Sequence, residues 1–252
     1  MSILRNALAT LGFVAMELVL NPTFAHAQTP SIEIKEDGLK NESEVTLVDA
    51  KGNSISNAFG AKQQDAFMWS GNVVKGQVRY FSSTSNNVES ARSWDLGLRY
   101  ERELTSVFSI YAGQGLESDS FAGFDRRYNS DLGIRYVLKK TSELNWAAEA
   151  GYRYTDQHNS NMSILDSSFG RLYSEAVYTM TETATAKLWV EYLPNFSHSE
   201  AYLMNSEASV SASLSALLSL KVAYLMKYNN APPAPATQFL DRLLTTSLIA
   251  KF

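Results

Sequence analysis

The sequence predicts an all-β fold: a transmembrane antiparallel up-and-down β-barrel of about 12 strands that follows an N-terminal signal peptide. Three observations predict it. Polar and apolar residues alternate along the chain from about residue 43 to its end. The chain holds 13 Tyr, 12 Phe and 4 Trp but only 6 Pro. Such an aromatic excess is typical of the girdles that membrane barrels place at the lipid headgroups.

The first residues have the pattern of a secretory signal peptide over residues 1–27. Arg5 supplies the positive charge, an apolar stretch follows, and Ala25-His26-Ala27 gives a small-x-small cleavage site. We expect cleavage after this site. A periplasmic N-terminal segment would then cover residues 28–42 and precede an outer-membrane barrel over residues 43–252.

Composition excludes several classes of protein. The chain has no Cys, so it forms neither disulfides nor thiolate metal sites. Its formal net charge is -4 and its Lys and Arg residues form no cluster, which argues against nucleic acid as a partner. The sequence predicts no cofactor.

Alternation is clearest over residues 94–101, where Trp94, Leu96, Leu98 and Tyr100 share one face and Asp95, Gly97, Arg99 and Glu101 the other. Similar patterns occur over residues 131–136 and 146–154. The apolar face could cover a soluble sandwich core or face lipid. Length favours lipid, because the segments exceed the ~5–6 residues of most soluble strands. They suit the ~9–11 residues that a strand needs to cross a bilayer.

The strand segments and their connections can be placed along the whole chain. We predict strands over 43–52, 54–68, 71–83, 89–104, 106–120, 125–140, 142–157, 167–182, 183–198, 200–214, 217–229 and 238–252. Their even number puts both chain ends on the periplasmic side. Tight periplasmic turns then alternate with longer outer loops, as in bacterial barrels. The longer loops are predicted over 82–90, 118–126, 156–167, 194–200 and 229–238.

The polar face of the strands predicts the lining of the lumen. Its candidate residues are charged: Arg79, Asp95, Arg99, Glu101, Asp131, Arg135, Glu149, Arg153, Glu175, Lys187, Glu191, Glu207 and Lys221. Opposite charges on neighbouring strands can pair, so the lumen is expected to be narrow and charge-balanced. Either charge rings line an ion path or salt bridges fill the interior. Barrels of about eight strands are filled and those of about sixteen leave a channel, so both interpretations stay open.

The last strand predicts how the barrel is assembled. Leu244, Leu248 and Phe252 share its apolar face, as in the closing strands that the barrel assembly machinery recognises. We therefore expect this machinery as a partner during biogenesis. The other expected partners are outer-membrane lipids and lipopolysaccharide, and the barrel is expected to be a monomer.

An enzymatic role is the weaker alternative. His158 and His198 fall in predicted outer loops, and Ser197 and Ser199 flank the second. Neighbouring residues of a strand point to opposite faces, so adjacency does not make a hydrogen-bonded dyad. The sequence therefore predicts no catalytic residues and no metal ligands.

Several short segments occur in a fixed order, over 98–105, 120–128, 133–137, 149–154, 227–233 and 246–252. Taken together, they resemble the YdiY-like salt-induced outer-membrane protein family, a β-barrel family of unassigned function. The resemblance covers residues 44 to 252, although Ala250 takes a position that is usually Tyr in that family. It implies a barrel in a Gram-negative outer membrane and a tie to osmotic stress. It carries over no catalytic residues.

These observations lead to one expected function and two alternatives. We expect a porin-like passive path for small solutes or ions, or an envelope component, used under salt or osmotic stress. The first alternative is an outer-membrane enzyme that acts on lipid or peptide. The second is a structural barrel that binds a partner through its outer loops.

Overall fold

A computed structural model of the chain describes residues 32, 34, 36–51, 55–232 and 238–251. The predicted signal peptide over 1–27 lies outside these described residues, and so does Phe252 of the predicted assembly signal. Within the described residues, no helix is long and apolar enough to span a bilayer.

Twelve β-strands follow one another through the described chain. They are β1 (Gly38–Lys51), β2 (Ile55–Trp69), β3 (Asn72–Ser85), β4 (Val88–Glu103), β5 (Phe108–Asp119), β6 (Phe124–Lys140), β7 (Leu144–Asn159), β8 (Ile164–Thr179), β9 (Ala184–Leu193), β10 (Leu203–Ser213), β11 (Leu218–Asn229) and β12 (Leu240–Lys251). Each pairs antiparallel with its neighbour in sequence, and β1 pairs with β12, which closes the barrel. The predicted fold class is confirmed.

Each predicted segment corresponds to one of the observed strands, but the start of the barrel differs. β1 begins at Gly38 rather than at residue 43, and it pairs with β2 from Gly38↔Met68 onward. Residues 38–42, which were predicted to lie in the periplasmic segment before the barrel, therefore belong to its first strand. Alternation of polar and apolar residues is weak there, so the first residues of β1 carry little strand signal.

Both ends of the described barrel chain lie at one end of the barrel, which we call the terminal end; the opposite end is the loop end. At the terminal end, β2 and β3 join through Ser70 and Gly71, whose φ angles of 47° and 75° suit a tight hairpin turn. Asn86 and Asn87 make a similar turn at the loop end, with φ of 50° and 64°.

The Asn86-Asn87 turn corrects the predicted long loop over 82–90. Both residues tolerate the left-handed conformation, whose twist matches that of the flanking strands, so the ladder continues to the turn. β5 to β8 are likewise joined at the loop end by the short connections 120–123 and 160–163. Longer connections are found only after β9 and β11 in the described chain, over 194–202 and 230–239.

The outer surface of the barrel is apolar. Leu98 and Leu132 are 58% and 65% exposed at mid-strand positions. Aromatic side chains on this surface lie towards both strand ends, with Tyr100, Tyr136, Trp146 and Tyr178 near the terminal end and Phe59, Tyr80, Trp94 and Tyr154 near the loop end. An apolar belt between two aromatic girdles is the surface that a membrane barrel presents to lipid. Leu244 and Leu248 are on this outward face of β12.

The seam between β1 and β12 is formed by a shorter ladder than its neighbour. Its described pairs run from Glu42↔Lys251 to Thr46↔Ser247, whereas β1 pairs with β2 along all of Gly38–Lys51. Two polar contacts inside the barrel reinforce it. The hydroxyls of Thr46 and Ser247 are 2.7 Å apart, and Glu44 meets Lys221 of β11 at 3.3 Å.

Candidate functional site

The site is the interior of the barrel, and strand alternation determines which side chains reach it. Inward positions are even-numbered in β1 and β2 and odd-numbered from β3 onward, apart from interruptions at bulges in β4 and β6. The predicted lumen residues all occupy inward positions. Lys187 has the most accessible side chain among them, at 23%.

Ion pairs join many of these side chains into one group, which we call the central network. It consists of Lys75, Arg99, Glu101, Asp131, Arg135, Glu149, Arg153, Arg171 and Glu191. Arg99 on β4 donates to Glu149 on β7 at 3.0 and 2.8 Å and lies 3.2 Å from Glu101. Fork-shaped Arg–carboxylate contacts of this kind fix geometry as well as charge.

Arg171 is a member of the central network that the sequence analysis missed. Its side chain is 1% exposed. It donates to Glu149 at 2.6 Å, to Glu191 at 2.7 Å and to the Tyr111 hydroxyl at 2.9 Å. The signal was present, because Arg171 has the same parity in β8 as Glu175.

Tyr111 lies at the centre of the network and depends on two glycines. Its ring is 2% exposed, and the guanidinium carbon of Arg99 stands 3.7 Å from the ring centroid. A Cβ at Gly133 would lie 2.5 Å from the Tyr111 hydroxyl, and one at Gly151 would lie 2.7 Å from it. These glycines of β6 and β7 thus make the niche that the phenol occupies.

A second polar group fills the lumen towards the loop end. Arg79 contacts Asp95 at 2.5 Å. Arg127 lies 3.4 Å from Glu117, which also accepts a hydrogen bond from Asn129 at 2.9 Å. Arg127 falls just beyond the predicted outer loop over 118–126, and the inward turn of its side chain follows a bulge in β6.

The other half of the lumen has fewer ion pairs. Lys221 contacts both Glu44 and Glu207 at 3.3 Å, and Lys187 contacts Glu175 at 2.6 Å. Glu175 also accepts a hydrogen bond from Tyr173 at 2.8 Å.

Apolar side chains also occupy the interior, which the sequence analysis did not foresee. Ala58, Phe81, Ala91, Trp189 and Leu225 form a buried group, which we call the internal apolar cluster. Val48, Tyr173 and Leu243 pack against it. Since these residues come from both sides of the barrel, the cluster narrows the lumen.

A cavity of about 240 Å³ remains in the half of the lumen walled by β1, β2 and β8–β12. It extends from Lys40 and Lys251, near the terminal end, to Asn205 and Lys227 further inside. Ile32, from the segment before β1, is 2% exposed and lines the same cavity. Seven Lys and Arg side chains line it against four Glu: Lys40, Lys62, Arg171, Lys187, Lys221, Lys227 and Lys251, with Glu42, Glu44, Glu191 and Glu207.

The enzymatic alternative rests on His158 and His198, and a metal site would need several acidic or His side chains together. The described residues contain no group of three or more His, Asp or Glu side chains placed to hold a metal ion. His158 contacts Asp156 at 3.2 Å and lies edge-on to Tyr128, while the backbone amide of His198 donates to Asn195 at 2.9 Å.

A family model described as "Protein of unknown function, DUF481" matches residues 43–252. The chain belongs to this family. The uncharacterized protein YdiY of Escherichia coli (strain K12) is 25% identical over 169 residues. The match covers 66% of this chain and 65% of YdiY, just under two thirds of that relative's length. The resemblance drawn from the sequence segments is confirmed.

Solved barrels have a similar architecture. An outer membrane channel from Pseudomonas putida F1 aligns with a TM-score of 0.56 at 12% identity, over 90% of this chain and 100% of the channel. KdgM porin aligns with a TM-score of 0.48 at 15% identity, over 85% of this chain and 99% of the porin. The first likeness shows a shared barrel fold. With the apolar belt and the aromatic girdles, it identifies this DUF481 protein as a β-barrel of the Gram-negative outer membrane.

Proposed function

We propose that the barrel is a passive, non-enzymatic path for small solutes across the outer membrane. The observation that carries the proposal is the cavity of about 240 Å³ inside a closed barrel, next to a half-lumen filled by the central network. The network holds one side of the lumen rigid. The solute path is then confined to the side walled by β1, β2 and β8–β12.

The narrow lumen limits what passes. The internal apolar cluster lies beside the cavity and includes Trp189, which also lines it. A hydrated solute must displace or pass this cluster, so we expect small conductance. Acidic and basic side chains pair in most of the lumen, but the side that holds the path is lined by seven basic and four acidic residues, so we expect a modest preference for anions.

The conditions of use are part of the same proposal. The YdiY-like resemblance implies a tie to salt or osmotic stress, and we propose that this barrel serves under those conditions. A strain that lacks the gene should grow more slowly than its parent at raised NaCl concentration. Complementation should restore growth, and equal growth of the two strains at raised salt would remove the stress assignment.

Single-channel recording tests the pore directly. The protein is refolded in detergent, its folding is checked by the heat-dependent gel shift of intact barrels, and it is inserted into a planar bilayer. Discrete current steps are the expected result. Silence from a folded and inserted barrel would overturn the proposal and direct attention to the connections at the loop end.

A further inference from the structure

The cavity wall carries more basic than acidic side chains, seven against four. Four of the seven have ion-pair partners: Lys40 pairs with Glu42, Arg171 with Glu149 and Glu191, Lys187 with Glu175, and Lys221 with Glu44 and Glu207. The positive charge that these pairs leave, which includes Lys62, favours an anion in this part of the lumen.

Lys62 shows the excess most directly. Its register partners are Glu44 on β1 and Arg79 on β3, but Glu44 contacts Lys221 at 3.3 Å and Arg79 contacts Asp95 at 2.5 Å. Among the described residues, no carboxylate comes within salt-bridge distance of the Lys62 ammonium. An enclosed ammonium without an ion-pair partner costs free energy, part of which a bound anion would recover.

The wall beside these charges is aromatic. Tyr173 and Trp189 are stacked, with ring centroids 6.1 Å apart and an angle of 28° between their planes. Both line the cavity. Aromatic side chains in a cavity wall offer apolar surface to the apolar side of a ring, and a few polar groups then fix the ring's orientation.

Hydroxyl and amide groups complete the lining. Gln64, Asn205, Ser209 and Ser211 face the cavity and can donate to or accept from hydroxyl groups of a ligand. The volume of about 240 Å³ corresponds to roughly eight water molecules at ~30 Å³ each, which is room for one monosaccharide-sized ligand.

We propose that this cavity is a binding site for a small hydroxylated organic anion of the sugar-acid class. Lys62 is its cationic contact, and the stacked Tyr173 and Trp189 are its apolar wall. This binding site deepens the proposed function. It rests on that function only where the bound anion is taken to be the solute that passes through the barrel.

Calorimetry on the refolded barrel in detergent tests the site without any need for conduction. The probes are sodium D-glucuronate, D-glucose and D-glucosamine, which share a ring and differ in charge. Glucuronate is expected to bind at one site. Glucose and glucosamine should bind at least about tenfold more weakly, because one charge-assisted hydrogen bond changes the affinity by that much. Similar binding of the three sugars, or no glucuronate binding, overturns the proposal.

Two variants locate the site and one serves as a control. Lys62→Met should weaken glucuronate by at least about tenfold while leaving glucose little changed, because it removes charge and keeps length. Trp189→Leu should weaken both glucuronate and glucose. Lys140→Met, at the exposed end of β6, should bind like the parent. Full glucuronate affinity in a folded Lys62→Met barrel overturns the assignment.

Single-channel recording of the same variants in bilayers distinguishes the proposed binding site from the proposed pore. Glucuronate binding by a barrel that does not conduct would support the site and remove the pore. A conducting barrel with no charge preference among the sugars would support the pore and remove the site. Should Lys62→Met fail the gel-shift test, Lys62→Gln and the cavity-filling Ser209→Leu replace it, with the same expected loss.

Discussion

The guanidinium of Arg99 on β4 makes a two-point contact with the carboxylate of Glu149 on β7, at 3.0 and 2.8 Å. β5 and β6 lie between these strands in the sheet, so the contact crosses the lumen instead of following the wall. The contact belongs to the half of the interior that ion pairs fill, and the cavity lies in the other half, walled by β1, β2 and β8–β12. The first half bears on stability, and the second on transport.

Removing one partner of this contact should destabilise the barrel strongly. Glu149 also accepts a hydrogen bond from Arg171 at 2.6 Å, so Glu149→Gln removes the negative charge that two buried guanidinium groups share. Breaking a buried pair on one side typically costs about 3–5 kcal/mol. Denaturant unfolding followed by tryptophan fluorescence measures the loss.

An exposed pair provides the control for that prediction. Arg92 and Glu89 lie 3.6 Å apart with side chains 52% and 42% exposed. Glu89→Gln should change stability by less than about 1 kcal/mol, as for most surface pairs. If Glu149→Gln and Glu89→Gln unfold at the same denaturant concentration, the central network contributes little to stability.

Gly133 should not tolerate a side chain. The Cβ of Gly133→Ala would lie 2.5 Å from the Tyr111 hydroxyl and 2.6 Å from the backbone oxygen of Ala150, so strand and phenol must both shift. We expect a cost of about 1–3 kcal/mol, typical of overpacking. The gel-shift assay and denaturant unfolding measure it.

Gly76→Ala is the matched control, because a Cβ there meets nothing within 4 Å. This variant should fold like the parent. Equal stability of the Gly133→Ala and Gly76→Ala barrels would show that the Tyr111 niche is not tight.

Trp189→Ala should widen the path. Trp189 is 7% exposed and packs in the internal apolar cluster with Phe81 and Leu225. Removing its indole empties the narrow part of the lumen, so single-channel steps should become larger. Trp94→Ala removes an indole from the lipid face, where Trp94 is 37% exposed, and should leave the steps unchanged. Parental steps in a folded Trp189→Ala barrel would mean that the cluster does not limit flow.

Leu98→Arg should test the lipid-facing surface. Leu98 is 58% exposed near the middle of β4. An arginine on the lipid face costs about 2–4 kcal/mol at the bilayer midplane and little near the interfaces. Leu104→Arg lies just beyond β4, is 53% exposed in the parent and should be nearly neutral. Unfolding from lipid vesicles compares them, and equal stability would place Leu98 outside the hydrocarbon.

Alternation carried most of what the sequence could predict. It placed Arg99, Glu149 and Glu191 on inward positions because a strand has only two faces, and one polar residue fixes the parity of its neighbours. Arg171 obeys the same rule, because it has the parity of Glu175 in β8. Trp189 is different, because an aromatic residue is expected to face lipid and only its parity with Lys187 and Glu191 reveals its inward direction.

Some features depend on contacts that no local pattern encodes. The Tyr111 hydroxyl accepts a hydrogen bond from Arg171, which lies 60 residues later in the chain. The cavity is walled by strands from both ends of the sequence. The predicted length of the connections at the loop end was wrong where the strand pairing continues up to a tight turn, as it does at Asn86. Polar residues at these positions predict a loop whether or not the hydrogen-bonded ladder extends through them.

The seam between β1 and β12 gives the barrel a preferred place to open. Amide hydrogens on the described Glu42–Thr46 ladder are held by a shorter run of partners than those on the β1–β2 ladder. Local opening begins where the fewest hydrogen bonds must break together. Deuterium should therefore enter this seam before it enters β6 and β7, and a barrel without the Thr46–Ser247 contact should exchange there sooner still.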